Sequence, residues 1–300
     1  MATLYTYAES NTRKAFLLIT FFLIFIILLG WFFSYLLGSY ILLVLAVIFS
    51  ILMSFGSYWY SDKIVLRMTR AQSIEKSDNP ELYRTVENLC ITAGLPVPKI
   101  YILVEEQPNA FATGRDANHA VIVVTQGLLE KLDRTELEGV IAHELSHIGN
   151  KDMLLQTVIV VLAGIIALLS NWFLRIGLRG GFAGDRKKGS VGLILLALAI
   201  MSAILAPLAA SLIRLAISRK REFLADAAGA LLTRYPEGLA RALEKISNDS
   251  SPLGVANPST AHLFISSPFK GEAKTSWFTQ LFMTHPPIEE RIKVLRDLKM

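Results

Sequence analysis

Two histidines and a glutamate near the middle of the chain have the spacing of a metal-dependent hydrolase. They are His143, Glu144 and His147, in a segment predicted to be a helix. Residues four apart point from the same helix face, so both imidazoles can bind one ion, as zinc at ~2.0 Å from each nitrogen requires. Glu144 lies beside that face, where its carboxylate can take a proton from the attacking water and pass it to the leaving amine. The spacing therefore predicts a zinc hydrolase, and the alternative is two surface histidines on an ordinary helix.

A catalytic zinc takes three protein ligands and keeps one position open, so a third ligand must come from elsewhere in the chain. We predict that Glu222 is that ligand. Asp226 follows one helical turn later, where its carboxylate can accept the free N–H of a zinc-bound histidine and fix the tautomer of the ring. The alternative for this pair is an exposed acidic helix face whose charges balance those of the basic residues beside it.

Three further residues are candidates for contact with a substrate. His285 can stabilise the oxyanion of the tetrahedral intermediate, or it can simply cap the final helix. Arg291, a turn and a half later, is a candidate for substrate binding. Asn109 is another, because the strand predicted from it to Gly114 can present an open edge on which a substrate backbone pairs; otherwise this is an ordinary hairpin strand. We predict that the other two histidines, His119 and His262, are surface residues.

The composition predicts a membrane protein, because 53% of the 300 residues are hydrophobic and the mean hydropathy is +0.46. Ala15 to Leu37 is an uncharged run of 23 residues and Tyr40 to Tyr60 is one of 21, and about 20 residues cross the hydrocarbon as a helix. Only two residues separate these runs, so they form a tight hairpin and the first is not a cleaved secretory signal. Met153 to Leu174 and Val191 to Ile213, with a kink at Pro207, bring the candidate spans to four.

The Lys and Arg residues near the span ends predict that the soluble parts face the cytosol, in a multi-pass protein of the cell inner (plasma) membrane. Ten of them lie on that side, whereas five lie in the loop between the third and fourth spans. This conflict leaves open that the second hairpin is re-entrant or held against protein. The net charge of +5 indicates orientation and contact with lipid headgroups, not nucleic-acid binding. The single cysteine, Cys90, fits a reducing compartment.

Between the two hairpins the sequence predicts a small α/β unit. A helix is predicted from Pro80 to Ala93, because Asn79 can cap its N-terminus and Gly94 can end it. The zinc helix opens with a capping-box pattern at Thr135-Glu136-Leu137-Glu138 and closes near Gly149. The other predicted elements are strands at Lys99–Val104, Asn109–Gly114 and His119–Thr125, helices at Arg221–Thr233, Pro236–Ile246 and Ile288–Leu298, and a long loop at Ser247–Lys274 that can border the active site.

Three segments together resemble the HtpX family of bacterial membrane metalloproteases, which are relatives of the CaaX prenyl proteases. The segments are His143-Glu144-Leu145-Ser146-His147, Arg221-Glu222-Phe223-Leu224-Ala225-Asp226 and Thr284-His285-Pro286-Pro287-Ile288-Glu289-Glu290-Arg291, and the resemblance extends over nearly the whole chain, including the Asn109–Gly114 segment. It implies one zinc ion per chain on His143, His147 and Glu222, with Glu144 as the catalytic carboxylate. It also implies that the substrates are unfolded or membrane proteins, and a role in membrane-protein quality control under stress. The main departure is the basic, glycine-rich loop from Arg175 to Gly189.

The expected fold is thus a mainly α membrane protein with four transmembrane helices and a cytosolic α+β, gluzincin-like zinc protease domain. Its parts are a membrane hairpin at 1–60, the first half of the protease domain at 61–152, a second transmembrane or re-entrant hairpin at 153–213 and the second half of the protease domain at 214–300. If the helices run on without a break, at about 1.5 Å per residue the zinc lies ~9 to 14 Å from the hydrocarbon edge. We therefore expect the site just above the membrane.

Two other functions use the same residues. Glu144 and His147 also form the Glu-x-x-His pattern of carboxylate-bridged di-iron proteins, but those proteins need a second such pattern, and no other histidine here has a glutamate three residues before it. The non-enzymatic alternative is a metal-stabilised membrane scaffold or chaperone. Glu144 argues against it, because a structural site needs no carboxylate beside an open coordination position. The sequence therefore favours an endopeptidase.

Overall fold

Two long apolar helices form a hairpin at the start of the chain. In the computed structural model, which describes residues 4–182, 219–255, 257, 259–269 and 286–298 with single positions between 200 and 211, they are α1 (Leu4–Leu37) and α2 (Tyr40–Trp59). Gly38 turns the chain between them at φ +62°, a conformation that costs glycine little. Most side chains of both helices face outwards, as the apolar surface of a membrane hairpin must. The predicted first hairpin is present.

A third apolar helix packs inside the protein. It is α7 (Asp152–Phe182), of which Asp152–Trp172 is long and apolar enough to cross a membrane. In its most apolar window 72% of the residues are buried, against 17% in each helix of the first hairpin. Its inner face packs against α1 through Leu155, Ile159 and Leu162. Three candidate spans are therefore described, and the predicted fourth span at 191–213 lies largely outside the described residues.

A four-stranded sheet forms the floor of the globular part, in the order β1-β2-β4-β3. The strands are β1 (Gln72–Ser73), β2 (Lys99–Leu103), β3 (Ala110–Thr113) and β4 (Val121–Thr125). β2 and β4 are parallel, whereas β3 pairs antiparallel with β4 and occupies an edge. The three predicted strands are present, each one or two residues shorter at an end than predicted.

Local capping signals set the ends of the helices. In α4 (Pro80–Ala93) the Asn79 side chain accepts a hydrogen bond from Leu82 N at 3.0 Å, and Gly94 ends the helix at φ +65°, as predicted. The segment from His143 to His147 lies on α6 (Arg134–Gly149). Its capping box is formed by Asp133 and Glu136 rather than by the predicted Thr135-to-Glu138 pattern. The helix begins earlier because Asp133 is the better placed acceptor for the Glu136 N–H.

Close helix contacts bring the remaining elements onto α6. The other helices are α3 (Ser61–Thr69), α5 (Gln126–Lys131), α8 (Arg219–Thr233), α9 (Pro236–Asn248) and α10 (Ile288–Asp297). A Cβ atom on Gly229 of α8 would lie 3.0 Å from the backbone nitrogen of His143, and one on Gly139 of α6 would lie 2.7 Å from that of Leu239. Glycine at both positions therefore lets α8 and α9 approach the helix that carries the motif.

The predicted loop after α9 is partly buried. Its residues Thr260 to Ser266 have little or no exposure, and they include a short 3-10 turn at Ala261–Leu263. Phe264 packs edge-on against Phe111 of β3, with ring centroids 5.1 Å apart. The prediction that His262 lies on the surface is wrong: it is 1% exposed, with Nε2 3.4 Å from Gln156 O of α7. This part of the loop is buried because it fills the space between β3 and α7. His119 is exposed, as predicted.

Candidate metal centre

The side chains of His143, His147 and Glu222 converge on one point. We call this set the metal centre; α6 supplies the two histidines and α8 supplies the glutamate. The Nε2 atoms of the histidines are 3.2 Å apart, and the Glu222 oxygens lie 4.0 Å from that of His143 and 3.8 Å from that of His147. All three ligand atoms lie within 4.8 Å of one another, and all three residues are buried.

The donor set fits a metal ion. Ligands placed tetrahedrally at ~2.0 Å from an ion lie about 3.3 Å from each other. The distance between the histidine nitrogens meets this spacing, and the carboxylate needs to move by less than about 1 Å. Two imidazoles and a carboxylate, buried together and without a thiolate, form a set that zinc accepts while keeping an open position.

His143 is held from behind by a buried ion pair. Its Nδ1 lies 2.9 Å from Asp226 Oδ1. Arg291 of α10 donates two hydrogen bonds to the same carboxylate, at 2.8 and 2.7 Å, and a third to Ile265 O at 3.0 Å. Burial raises the pKa of Asp226, but the Arg291 guanidinium outweighs it and brings the pKa to about 2. Burial also lowers the pKa of His143, which favours the neutral ring that a metal needs.

His147 is held by a different network, which reaches the first membrane helix. Its Nδ1 lies 3.1 Å from Asp152 Oδ2, at the start of α7. Asn11 of α1 donates to the other Asp152 oxygen at 2.7 Å, and Arg221 donates to Asn11 Oδ1 at 3.2 Å. Burial lowers the pKa of His147, but the carboxylates of Asp152 and Glu222 outweigh it and raise the pKa to about 9. The negative potential that raises this pKa also favours a bound cation.

Sequence reasoning missed the Asp152 network. A carboxylate at the first position of an apolar run is costly unless it has a partner, and this signal could have singled out Asp152. Asn11 carries no comparable signal, because it lies 141 residues away in the chain. Only the packing of α1 against the start of α7 brings the two together.

Glu144 lies beside the ligands and is buried. Burial raises its pKa to about 7, while the charge of His147 and a hydrogen bond from the backbone of Ala112 act in the opposite direction. A carboxyl group whose pKa is close to neutral can both accept and return a proton. This position and pKa suit an acid–base group.

The edge strand β3 turns its free backbone groups towards this site. Asn109 O accepts a hydrogen bond from Thr125 N of β4, and such pairs alternate along antiparallel strands. The outward groups therefore belong to Ala110 and Ala112. Ala110 O accepts from Ile265 N at 2.9 Å, and the Ala112 N–H faces Glu144. The outer edge of β3 is thus partly occupied.

The remaining predicted site residues lie in different surroundings. Asn109 is fully buried, and its Nδ2 donates to Ser266 O at 3.0 Å, so its side chain ties the loop to β3. Arg291 is also fully buried, behind Asp226. His285 lies outside the described residues. The structure therefore brings the metal centre, Glu144 and Asp226 together, and places Asn109 and Arg291 behind the site.

Known proteins share this sequence over most of its length. A family model described as Peptidase family M48 matches residues 76–299. The chain belongs to peptidase family M48. An M48 relative, the Protease HtpX homolog of Thermococcus sibiricus, is 50% identical over 268 residues, which cover 88% of this chain and 89% of that protein. The Protease HtpX homolog of Caldanaerobacter subterraneus is 46% identical over 300 residues, 99% of this chain and 98% of that protein. The crystal structure of S. mikatae Ste24p aligns with a TM-score of 0.49 and 20% identity, over 98% of this chain and 67% of that one.

The predicted resemblance to HtpX proteases is confirmed. As a member of family M48, the protein is a membrane-bound metallopeptidase that acts on protein substrates. The di-iron and non-enzymatic scaffold alternatives are excluded, since family M48 is a family of peptidases.

Proposed function

We propose that the protein is a zinc endopeptidase that cleaves unfolded or membrane proteins at the cytosolic face of the cell inner membrane, in quality control under stress. The observation that carries the proposal is the convergence of His143, His147 and Glu222 within 4.8 Å, with Glu144 beside them. Imidazole and carboxylate ligands favour zinc over the harder cations that prefer oxygen ligands alone. Family membership supports the peptidase chemistry but leaves the metal and the natural substrates as part of the proposal.

The chain's own residues divide the work of hydrolysis. Bound zinc supplies Lewis-acid polarisation of the attacking water and of the scissile carbonyl. The two histidines present Nε2 to the ion, because Asp226 and Asp152 engage their Nδ1 atoms. Glu144 takes the proton of the attacking water and returns it to the leaving amine. His285 keeps its proposed role of stabilising the oxyanion, and we assign to Arg291 the role of holding Asp226.

The proposed substrate path runs along β3. An extended substrate backbone replaces the contact between Ala112 N–H and Glu144 and pairs with Ala112 as an added strand. Main-chain pairing needs few side-chain contacts, so the enzyme cuts with little sequence preference. Asn109 contributes indirectly, since its hydrogen bond to Ser266 O fixes the loop that covers the neighbouring Ala110.

The proposed topology keeps four spans and two soluble halves, 61–152 and 214–300, around the hairpins at 1–60 and 153–213. Its cytosolic orientation rests on the distribution of Lys and Arg. The burial of α7 supports a third span that packs against protein. Asn150 and Lys151 alone separate α6 from α7, which supports a metal centre close to the membrane surface.

The test compares four purified full-length proteins in detergent, each with bound metal measured and with an unfolded protein as substrate. Glu144→Gln should keep about one zinc per chain and lose cleavage, whereas Glu222→Ala should lose zinc. Glu138→Gln, on the same helix and away from the metal centre, should behave like wild type. If wild type binds zinc and cleaves no better than Glu144→Gln, the assignment is wrong. If Glu222→Ala binds zinc with wild-type affinity, the third ligand is wrong.

A further inference from the structure

A cavity of about 610 Å³ lies between the end of α2 and the sheet, and the metal centre contributes nothing to its lining. We call it the interface cavity. The end of α2, the first turn of α3, the starts of β2 and β4 and the turn before β4 form its walls. Among its lining residues are Trp59, Tyr60, Lys63, Lys99, Arg115 and His119.

Cationic side chains dominate the polar lining of the interface cavity. Lys63, Lys99 and Arg115 face one acidic lining residue, Asp62. Neither lysine forms an ion pair with any residue that the structure describes. Arg115 is fixed in place: its guanidinium lies 4.6 Å from the centre of the Trp59 ring, and its Nε lies 3.5 Å from Asp116. The cavity therefore offers two lysines without an ion pair among the described residues, one of them with its ammonium 5.3 Å from the centre of the Tyr60 ring, beside a positioned guanidinium, and this set is suited to an anion.

The position of the interface cavity in the fold points to the source of that anion. Trp59 is the last residue of the candidate span Tyr40–Trp59. Tryptophan and tyrosine gather where a span leaves the hydrocarbon, and Trp59 and Tyr60 stand at that place. Phe55 and Trp59 are both lining residues and exposed on the membrane helix. One wall of the cavity is thus apolar and continuous with the span, while the other is basic.

We propose that the interface cavity binds the phosphate headgroup of an anionic phospholipid. Lys63 and Lys99 pair with the phosphate, and Arg115 supplies a third positive charge. Phe55 and Trp59 contact the start of the acyl chains. The site stands on the geometry of α2, α3 and the sheet, and does not depend on the proposed cleavage reaction.

The test removes two charges inside the cavity and two outside it. Native mass spectrometry of the full-length protein in detergent, titrated with dioleoyl phosphatidylglycerol, measures the lipid retained. The double variant Lys63→Gln/Lys99→Gln should bind this lipid roughly tenfold or more weakly. Arg67→Gln/Arg70→Gln is the matched control, because both arginines are exposed at the end of α3, outside the cavity lining. The control should retain affinity within about threefold.

The following outcomes would overturn the proposal, and two further measurements serve as controls. Equal losses in the two double variants would mean general attraction between a basic surface and lipid, and no loss in either would mean that the cavity is not the site. Dioleoyl phosphatidylcholine should bind more weakly than the anionic lipid, since its headgroup has no net charge. If inorganic phosphate or glycerol 3-phosphate displaces the lipid at equal concentration, the ligand is a soluble phosphate and the lipid assignment fails. Unchanged cleavage and unfolding temperature in the variants establish that they are folded.

Discussion

The two histidines of the metal centre are held by two different sets of buried polar residues. His143 is backed by Asp226 and Arg291, both in the globular part. His147 is backed by Asp152 and, behind it, Asn11, where α7 and α1 begin. The first arrangement is a bidentate ion pair, whereas the second is a polar network that includes a longer Arg221–Asp152 ion pair at 3.6 Å and extends into the membrane helices. The positions of the two histidines therefore depend on the packing of the hairpin as well as on the globular part.

The largest effect on stability should follow from breaking the buried ion pair between Asp226 and Arg291. Asp226→Asn removes the carboxylate that accepts two hydrogen bonds from the fully buried Arg291, which is left with a longer contact to Glu222 at 3.8 Å. Leaving a buried charge without its partner costs about 3–5 kcal/mol, so the free energy of unfolding should fall by that order, as measured by denaturation in detergent without metal. Glu237→Gln is the control, because it removes an equally bidentate contact to Arg296 at the surface and should have a much smaller effect. Similar losses in both variants would contradict the assigned difference.

Disturbing the network behind His147 should lower the affinity for metal more than it lowers the stability of the protein. Asp152→Asn weakens the acceptor for His147 Nδ1, and changes of this kind typically cost about 10–100-fold in metal affinity. Zinc competition with a chelator measures the loss. Asp297→Asn, an exposed carboxylate at the end of α10, should bind zinc like wild type. An unchanged affinity in Asp152→Asn would show that His147 does not need this carboxylate.

Low pH should reduce the stability of the protein by protonating Asp226, which holds His143. Its pKa in the folded protein is about 2, below the ordinary value of 3.8. The stabilisation is therefore fully present above pH ~4 and is lost as the pH falls towards 2, because the unfolded chain takes up the proton first. In metal-free protein the stability difference between wild type and Asp226→Asn should shrink over that interval. A difference that stays constant from pH 5 to pH 2 would contradict the paired state of Asp226.

The smallest effect should come from the far end of the membrane network. Asn11→Leu keeps the size of the side chain but removes its hydrogen bonds to Asp152 and Arg221. Only the hydrogen bond to Asp152 acts on the partner of His147, and its loss at ~1 kcal/mol predicts zinc binding about threefold to tenfold weaker, together with an altered visible spectrum of the Co²⁺-loaded protein. Asn88→Leu, exposed on α4, should change neither reading. A spectrum that stays identical to wild type in Asn11→Leu would confine the network to a structural role.

Features with a local signal could be predicted from the sequence. The four-residue spacing of His143 and His147 on one helix face, the cap at Asn79 and the length of the first two apolar runs all depend on neighbouring residues. Asp226 lies one turn from Glu222 and was expected near a histidine for the same reason. The structure brings these groups together as expected, although the metal assignment itself remains a proposal.

Features that depend on distant contacts could not be predicted. Arg291 lies 65 residues after Asp226, and nothing in its own surroundings indicates a buried ion pair. The burial of His262 depends on a loop that folds between β3 and α7. Asn109 was expected on a strand that can present an open edge, and only the tertiary structure shows that its side-chain amide donates to Ser266 O.

The short junction at Asn150 and Lys151 joins α6, which carries the two histidines, directly to α7. Lys151 turns the chain at φ 56°, and the following residue is already Asp152, the partner of His147. The metal centre is therefore tied to the start of α7 through the contact between His147 and Asp152. The turn at Lys151 breaks the helix between His147 and α7, so the distance of ~9 to 14 Å expected for unbroken helices does not apply. The position of the metal centre relative to α7 is thus set by this turn rather than by a continuous helix.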